Sequence, residues 1–416
     1  MFMDAYPDAL PSIPARRVIY TGRQCFPSDL VYQPDDSAII RGWHQLYDQD
    51  VTQAEVLRGA GYTTALITDL YHQFQPGKNF QRGFNAFHYI RGQEIDRYET
   101  GPRTGLNPFD YTHPAHQAGA ALFIMQYLIN RRNWTTEDDW PAAQVFDQAA
   151  RWLDNNVAEN QPFYLHLESY SPHEMWDPPD DYYRLYMKSE YTGHKLIYPP
   201  MFTAQMSPVE IEHVRALYAG TLTFVDARIG RLLSKVEELG LLSNTLIVFV
   251  ADHGVMMGEQ GQLRKGESRL RQQVTHIPLM IYYPDAAWAG RRVKGYVQHT
   301  DILPTILDIL GIDIPVRVTG HSLRDVVESG GNSPREWIVL GWGDHASIRT
   351  WEWNCQLRWN PGPAFDELYD LTQDPLELRD VGPSRPDVMD FMRGFLVQYV
   401  DAGWAITRGS FSTLLS

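Results

Sequence analysis

Apolar residues recur along this chain in two rhythms: short, nearly unbroken runs, and longer stretches with apolar positions three or four apart. Thr64-Ala65-Leu66-Ile67-Thr68, Pro162-Phe163-Tyr164-Leu165-His166-Leu167 and Pro278-Leu279-Met280-Ile281-Tyr282-Tyr283 read as strands. Thr245-Leu246-Ile247-Val248-Phe249-Val250-Ala251 is apolar enough for a parallel strand covered on both faces. Between these runs the spacing turns helical. Thr52 and Glu55 have capping-box spacing and open a helix that stops at Gly61. Val145, Ala149, Trp152 and Leu153 share one face of a helix near residues 142–158. Ser207-Pro208-Val209-Glu210 starts another, of about 30 residues, that Gly240 ends; this is long for a globular protein. A further helix, Pro304–Leu310, stops at Gly311. Strands alternating with helices predict an α/β fold, a doubly wound, mostly parallel sheet flanked by helices.

Two regions break the pattern. Residues 75–120 are rich in Gly, Pro and aromatics and read as a long excursion carrying Arg82, Arg91 and Glu94. From about residue 330, Trp337–Gly341, Ala346–Thr350 and Asn354–Arg358 are short strand-like segments before an amphipathic stretch around Pro386–Tyr399. This divides the chain into an α/β domain over 1–329 and a small C-terminal antiparallel-sheet-plus-helix subdomain over 330–416.

Composition narrows the function classes. The chain has 416 residues, with 36 Lys+Arg against 51 Asp+Glu and a formal net charge of -15. That balance argues against non-specific nucleic-acid or anionic-membrane binding but permits a local pocket for a small anion. The two cysteines, Cys25 and Cys355, support neither a disulfide framework nor a zinc site. No apolar run reaches the ~18 residues of a membrane span. Met1–Pro7 has no signal-peptide character, so a cytoplasmic protein is the expectation.

Candidate chemistry gathers at strand ends and at one helix start. Pro11 and Pro14 forbid regular helix up to that point, so the helix should begin at Ala15, with Ser12 at or just before its N-terminus. Free N–H groups and the helix dipole favour an anion there, and Arg16 stands one turn later. This is either a site for an oxyanion ester or a proline-rich turn with a surface arginine. Asp252-His253 ends the most apolar strand and offers divalent-metal donors. The glycine-rich run Gly258–Gly266 could return Lys265 over them to hold a substrate oxygen. Alternatively, Arg264, Lys265, Arg269 and Arg271 are a solvated basic patch. His173, after the second strand, suits acid–base work or an oxygen contact, or else is structural. Asp69 and His72 follow the first strand and are weaker candidates.

Taken together these segments resemble the sulfatase family of the alkaline phosphatase superfamily. Ser12-x-Pro14-x-Arg16-x4-Thr21-Gly22 resembles its active-site signature, with serine where many members have cysteine. Pro172-His173-Glu174-x-Trp176-Asp177-Pro178-Pro179 resembles its histidine loop. Asp252-His253-Gly254, Gly258-Glu259-x-Gly261 and Lys265-Gly266 resemble its metal-and-lysine segment. Gly61–Leu66, Asp301-x-x-Pro304-Thr305 and Glu367–Glu377 resemble further signatures. The resemblance implies hydrolysis of a small-molecule or sugar sulfate ester. Ser12 would be converted to formylglycine by a generating enzyme, and Arg16 would stabilise its hydrate. Lys265 and His173 would hold sulfate oxygens and assist the leaving group, and His72 would bind substrate. Asp252 and His253 would bind one divalent ion, commonly calcium, with magnesium or manganese as alternatives.

There are departures. The family has a strand ending in acidic metal ligands tens of residues before the signature, whereas eleven residues precede Ser12 here. Either the start is misplaced or the chain is a fragment, or, if it is complete, the expectation is a sheet lacking its central strand and a weak or dead catalyst. Asp69-Leu70-Tyr71-His72 replaces a Lys-x-His segment. His253, where many sulfatases have asparagine, also occurs in relatives that hydrolyse phosphonate or phosphate esters, which is the alternative function. A truncated, inactive relative acting as a binding or scaffold protein is the third.

Overall fold

A computed structural model describes residues 1–28, 42–157, 161–266, 270–284, 288–358 and 366–412. Arg269 lies outside the described residues.

The alternation read from the sequence becomes two α/β sheets and a third, antiparallel sheet. One α/β sheet has four strands in the order Val293–Gln298, Phe2–Tyr6, Ile277–Tyr282, Ile247–Val250. Phe2–Tyr6 pairs parallel with Val293–Gln298, and Ile277–Tyr282 runs against both its neighbours. The other holds Ala86–Tyr89, Thr63–Thr68 and Phe163–Glu168, all parallel. Its faces divide as strand geometry requires. Ala65, Ile67, Leu165 and Leu167 face helices Pro141–Asn156 and Pro208–Glu238. Leu66 and Tyr164 face the helix Ser12–Thr21 through Ile13 and Tyr20. Helices on both faces make this a doubly wound arrangement.

Phe163–Glu168 and Ile247–Val250 each form an edge of their sheet. The second of these is not covered on both faces as its composition suggested. Among the described residues it pairs only with the antiparallel Ile277–Tyr282, and Phe249 is 39% exposed. Periodicity reports what a strand could bury; its place at an edge decides what it does bury. A strand, Phe2–Tyr6, does precede Ser12, and the sheet is divided between the two edges rather than continuous.

Two local readings need correction. The helix begins at Ser12, not Ala15, with Pro14 inside its first turn. The first N–H groups of a helix have no intrahelical partner, so proline costs nothing there. Ala15 N–H makes the first helical bond, to Pro11 O at 3.0 Å. The 75–120 excursion also contains more order than its composition indicated. Ala86–Tyr89 extends the parallel sheet, and at the end of the excursion a helix, Gln117–Arg131, begins and buries Ala120, Ile124, Tyr127 and Leu128 along one face.

The C-terminal segments form an antiparallel sheet of Trp337–Trp342, His345–Thr350, Trp353–Arg358 and Glu367–Asp370. Ala9–Leu10 joins it parallel to Trp337–Trp342, so the stretch just before Ser12 is pinned to this sheet. The helix Pro386–Ser412 covers it through Met392, Leu396 and Val400.

Candidate active site

The carboxyl ends of three strands and the start of one helix converge, as expected for a ligand site in an open α/β sheet. Ser12 is the first residue of its helix and 3% exposed. Helical spacing places Arg16 one turn on, where its Nη1 donates to Ser12 O at 3.0 Å. The same guanidinium spans the two sheets. Nη1 donates to Asp252 Oδ2 at 2.6 Å, and Nε pairs with Glu168 at the end of Phe163–Glu168. Burial works against the charge on Arg16, but Glu168 and Asp252 raise its pKa.

Asp252 follows the strand Ile247–Val250. Burial alone would raise its pKa; His253, Arg16 and Lys265 instead hold it well below the usual carboxylate range. His253 Nδ1 lies 2.9 Å from Gly254 O, which requires the ring proton on Nδ1 and leaves Nε2 bare. That Nε2 is buried without a partner, 3.5 Å from Asp252 Oδ2. Burial lowers the His253 pKa and keeps the ring neutral.

Lys265 follows a tight hairpin, Met256–Met257 with Leu263–Arg264. Gly258 (φ 103) and Gly261 (φ 71) hold left-handed conformations within it. Lys265 Nζ lies 2.5 Å from His173 Nε2 and 3.4 Å from Glu174 Oε2. His173 stacks on Tyr170 with ring centroids 4.2 Å apart, and burial drops its pKa to about 3. Glu174 is buried; against that burial, Lys265, His173 and Arg264 hold its carboxyl well below the ordinary range. His72 completes the group, edge-on to Trp43 at 5.0 Å. Burial lowers its pKa strongly, helped by the nearby His173, Lys78, Arg16 and Lys265.

The structure thus brings Arg16, His72, His173, Asp252, His253 and Lys265 into one electrostatic neighbourhood, with Ser12 on the turn that carries Arg16. Asp69 does other work. It is fully buried, and its Oδ1 accepts the Tyr170 N–H at 2.6 Å, fixing the loop that carries His173. The basic-patch alternative fails for the residues described. Arg264 pairs with Glu174 and lies over the Tyr198 ring, and Arg271 pairs with Glu367 and Tyr369. Sequence reasoning missed Glu168 and Tyr170, and noted Glu94 in the excursion without giving it a role. Glu168 was discoverable, because it is the last residue of a strand whose carboxyl end was already suspected.

A divalent ion is implied by the family resemblance. His253 Nε2, bare and buried beside Asp252, is a donor of suitable type. However, Arg16 takes Asp252 Oδ2, and the described residues contain no group of three or more His, Cys, Asp or Glu able to hold a metal. Calcium takes six to eight oxygens at about 2.3–2.6 Å, so Asp252 and His253 alone do not make its shell.

A parallel-rich α/β sheet with buried cations at its strand ends defines a class built to hold a small oxyanion. Comparison with known proteins makes this specific. The family described as Sulfatase matches residues 1–312, and one described as N-sulphoglucosamine sulphohydrolase, C-terminal, matches residues 261–391. The chain belongs to the sulfatase family.

It is 28% identical over 292 residues to an arylsulfatase of Clostridium perfringens, covering 65% of this chain and 60% of that protein. It is 28% identical over 366 residues to arylsulfatase K of Mus musculus, covering 79% and 63%. An N-acetylglucosamine-6-O-sulfatase of Bacteroides thetaiotaomicron is 32% identical over 176 residues, 39% of this chain and 31% of that one. The chain therefore spans less than two thirds of the length of each of these relatives. Among solved structures, the phosphonate monoester hydrolase of Agrobacterium radiobacter superposes with a TM-score of 0.72 at 19% identity, over 97% of this chain and 88% of that one. A protein solved with its substrate D-glucosamine-2-N,6-O-disulfate gives 0.69 at 19% identity, over 99% and 91%. These two establish likeness of fold. No helix among the described residues is long and apolar enough to cross a membrane.

Proposed function

We propose that the chain hydrolyses sulfate esters at this site, with Ser12 as the position of the nucleophile. The observation that carries the reading is the gathering of Lys265, His173 and His253 with Asp252 and Arg16, the last of which bonds Ser12 O one turn back. Ser12 would act as a formylglycine, which supplies an attacking hydrate oxygen. Arg16, fixed by Glu168 and Asp252, neutralises charge beside that oxygen. Lys265 has three N–H donors; two meet His173 Nε2 and Glu174 Oε2, and the third would serve an ester oxygen. Cations held rigid before reaction stabilise charge as it develops on the leaving oxygen, in surroundings that exclude much water. His253 Nε2 is a bare acceptor suited to taking the proton of the attacking group. His72 lines the side of the site nearest Lys78 and Trp43. Sugar sulfates are a fitting substrate class, since the Bacteroides relative is named for one and a structural neighbour was solved with another.

A phosphonate or phosphate ester is the second reading, favoured by His253 and by the phosphonate hydrolase likeness. Matched aryl sulfate and aryl phosphonate substrates separate the two. The first reading expects higher kcat/KM on the sulfate, and mass spectrometry of the Ser12 peptide from the native host should show formylglycine. Unmodified serine throughout, with neither ester cleaved, refutes both.

A further inference from the structure

Glu94 has no part in the reading above, yet its carboxylate lies two hydrogen bonds from the ring that holds Lys265. It sits in the 75–120 excursion at φ 45, a backbone conformation uncommon outside glycine. Its side chain turns inward until 8% exposed. Oε2 accepts from Tyr71 OH at 2.8 Å and from Tyr170 OH at 3.1 Å, and His72 Nε2 lies 3.8 Å away. The ion pairs of the described residues give it no lysine or arginine. Tyr170 is the branch point, because its oxygen is also 3.0 Å from His173 Nε2. That nitrogen in turn meets Lys265 Nζ at 2.5 Å.

Proton accounting orders this chain. His173 Nδ1 faces Glu174 O at 2.7 Å and Glu174 Oε2 at 3.1 Å, both acceptors, so the ring proton sits on Nδ1. Nε2 then has one lone pair and two competing donors, Tyr170 and Lys265. The phenol has one proton, which can go to Glu94 or to His173. A carboxylate is the stronger acceptor, because charge-assisted bonds are roughly twice as strong as neutral ones. While Glu94 is ionised, Tyr170 donates to it and His173 Nε2 is left to Lys265. When Glu94 takes a proton from solvent it becomes a donor to the tyrosine oxygens. Tyr170 then turns to His173, and Lys265 loses that anchor.

We propose that Glu94 is a positioning residue which, through Tyr170 and His173, determines whether the Lys265 ammonium is held for the ester oxygen. This rests on the reading of Lys265 as an oxygen holder. The groups facing Glu94 are Tyr71 and His72 after one strand, Tyr170, His173 and Glu174 after another, and Lys265 and Tyr198 beyond. Burial keeps His72 and His173 neutral and Tyr170 protonated. Burial also raises the Glu94 carboxyl to about 7, against the pull of Tyr71, so the exchange falls near neutral pH.

The test is the pH profile of kcat/KM on an aryl sulfate for the full chain and for Glu94→Gln, Glu94→Asp and Tyr170→Phe. The wild type should lose activity as pH falls through about 7. Glu94→Gln should erase that acid limb and lower the plateau on the order of tenfold; Tyr170→Phe, which removes the competitor for His173, should erase the limb and keep the high-pH rate; Glu94→Asp should restore a limb. In parallel, the ¹⁵N signal of His173 Nε2 should move between pH 8 and 6 in the wild type and stay still in Glu94→Gln. Parallel pH profiles in wild type and Glu94→Gln, or a His173 signal equally mobile in both, would overturn the proposal. A wild type that cleaves no ester refutes the functional reading instead, and the His173 signal still decides this one.

Discussion

Arg16→Met removes the guanidinium that ties the two sheets together and leaves Glu168 and Asp252 without the cation they share. The Arg16 side chain is 7% exposed, with Glu168 at 10% and Asp252 at 22%. Breaking a buried pair by removing one partner costs about 3–5 kcal/mol, because the remaining charge keeps its desolvation penalty. Unfolding entropy of about 2.1 cal/mol/K per residue over this chain converts that into a fall in Tm of about 3–6 °C. The charge argument makes a second, sharper demand. Glu168→Gln, placed on the Arg16→Met background, removes one of the orphaned charges while keeping an oxygen for Thr68 Oγ1 and Gln73 Nε2. The double variant should therefore be less damaged than the two single variants summed, by about 1–3 kcal/mol. Denaturant unfolding of the four proteins measures the cycle. Activity should not follow stability: Arg16→Met should lose about 100-fold or more in kcat, and Glu168→Gln should not restore it. If the two substitutions prove additive in stability, Arg16 is not the counter-ion of Glu168 in solution and the account of the site fails.

Other predictions follow from neighbouring groups. Lys265→Ala should lower kcat/KM on a sulfate ester by about 10²–10³-fold and also lower Tm, because buried Glu174 then keeps only Arg264 as a cationic partner; an unchanged rate would remove Lys265 from the site. Trp176, fully buried with Nε1 donating to Pro172 O at 3.0 Å, supports the His173 loop. Trp176→Ala should cost about 3–5 kcal/mol by chemical denaturation and reduce activity as well. Asp8 is a pH probe outside the site. Burial raises its carboxyl from 3.8 to about 7 despite the N–H groups of Cys25 and Phe26. The native state then holds a proton that the unfolded chain releases, so Asp8 lowers stability as pH rises through about 4–7. Asp8→Asn keeps an acceptor without the charge and should raise Tm more at pH 8 than at pH 4. Equal effects at both pH values would refute the shifted carboxyl.

Much of the frame could be read from the chain alone. The capping box at Thr52 and Glu55, the one at Ser207 and Glu210, and the 31-residue helix Pro208–Glu238 all appear as their local chemistry dictates. These are short-range effects, and their residues carry them into any fold. The spacing of Ser12 and Arg16 likewise fixes their shared helix turn. Local rules failed where context intervened. Pro14 is permitted in a first turn, the Ile247–Val250 strand became an edge, and the aromatic-rich excursion contains a strand, Ala86–Tyr89, of the parallel sheet.

The sequence by itself determined which residues could do chemistry and on which strand ends they stand, because side-chain type and periodicity are local properties. Only the tertiary structure decided how those residues pair. Arg16 meets Glu168 across 152 positions and Asp252 across 236, and Lys265 meets His173 across 92. Each of those ion pairs and hydrogen bonds forms because sheet packing brings distant strand ends together and removes water from between them. No spacing along the chain encodes such a distance. Glu94 shows this most clearly, since nothing beside it in sequence marks it, and only burial against Tyr71 and Tyr170 makes its charge matter.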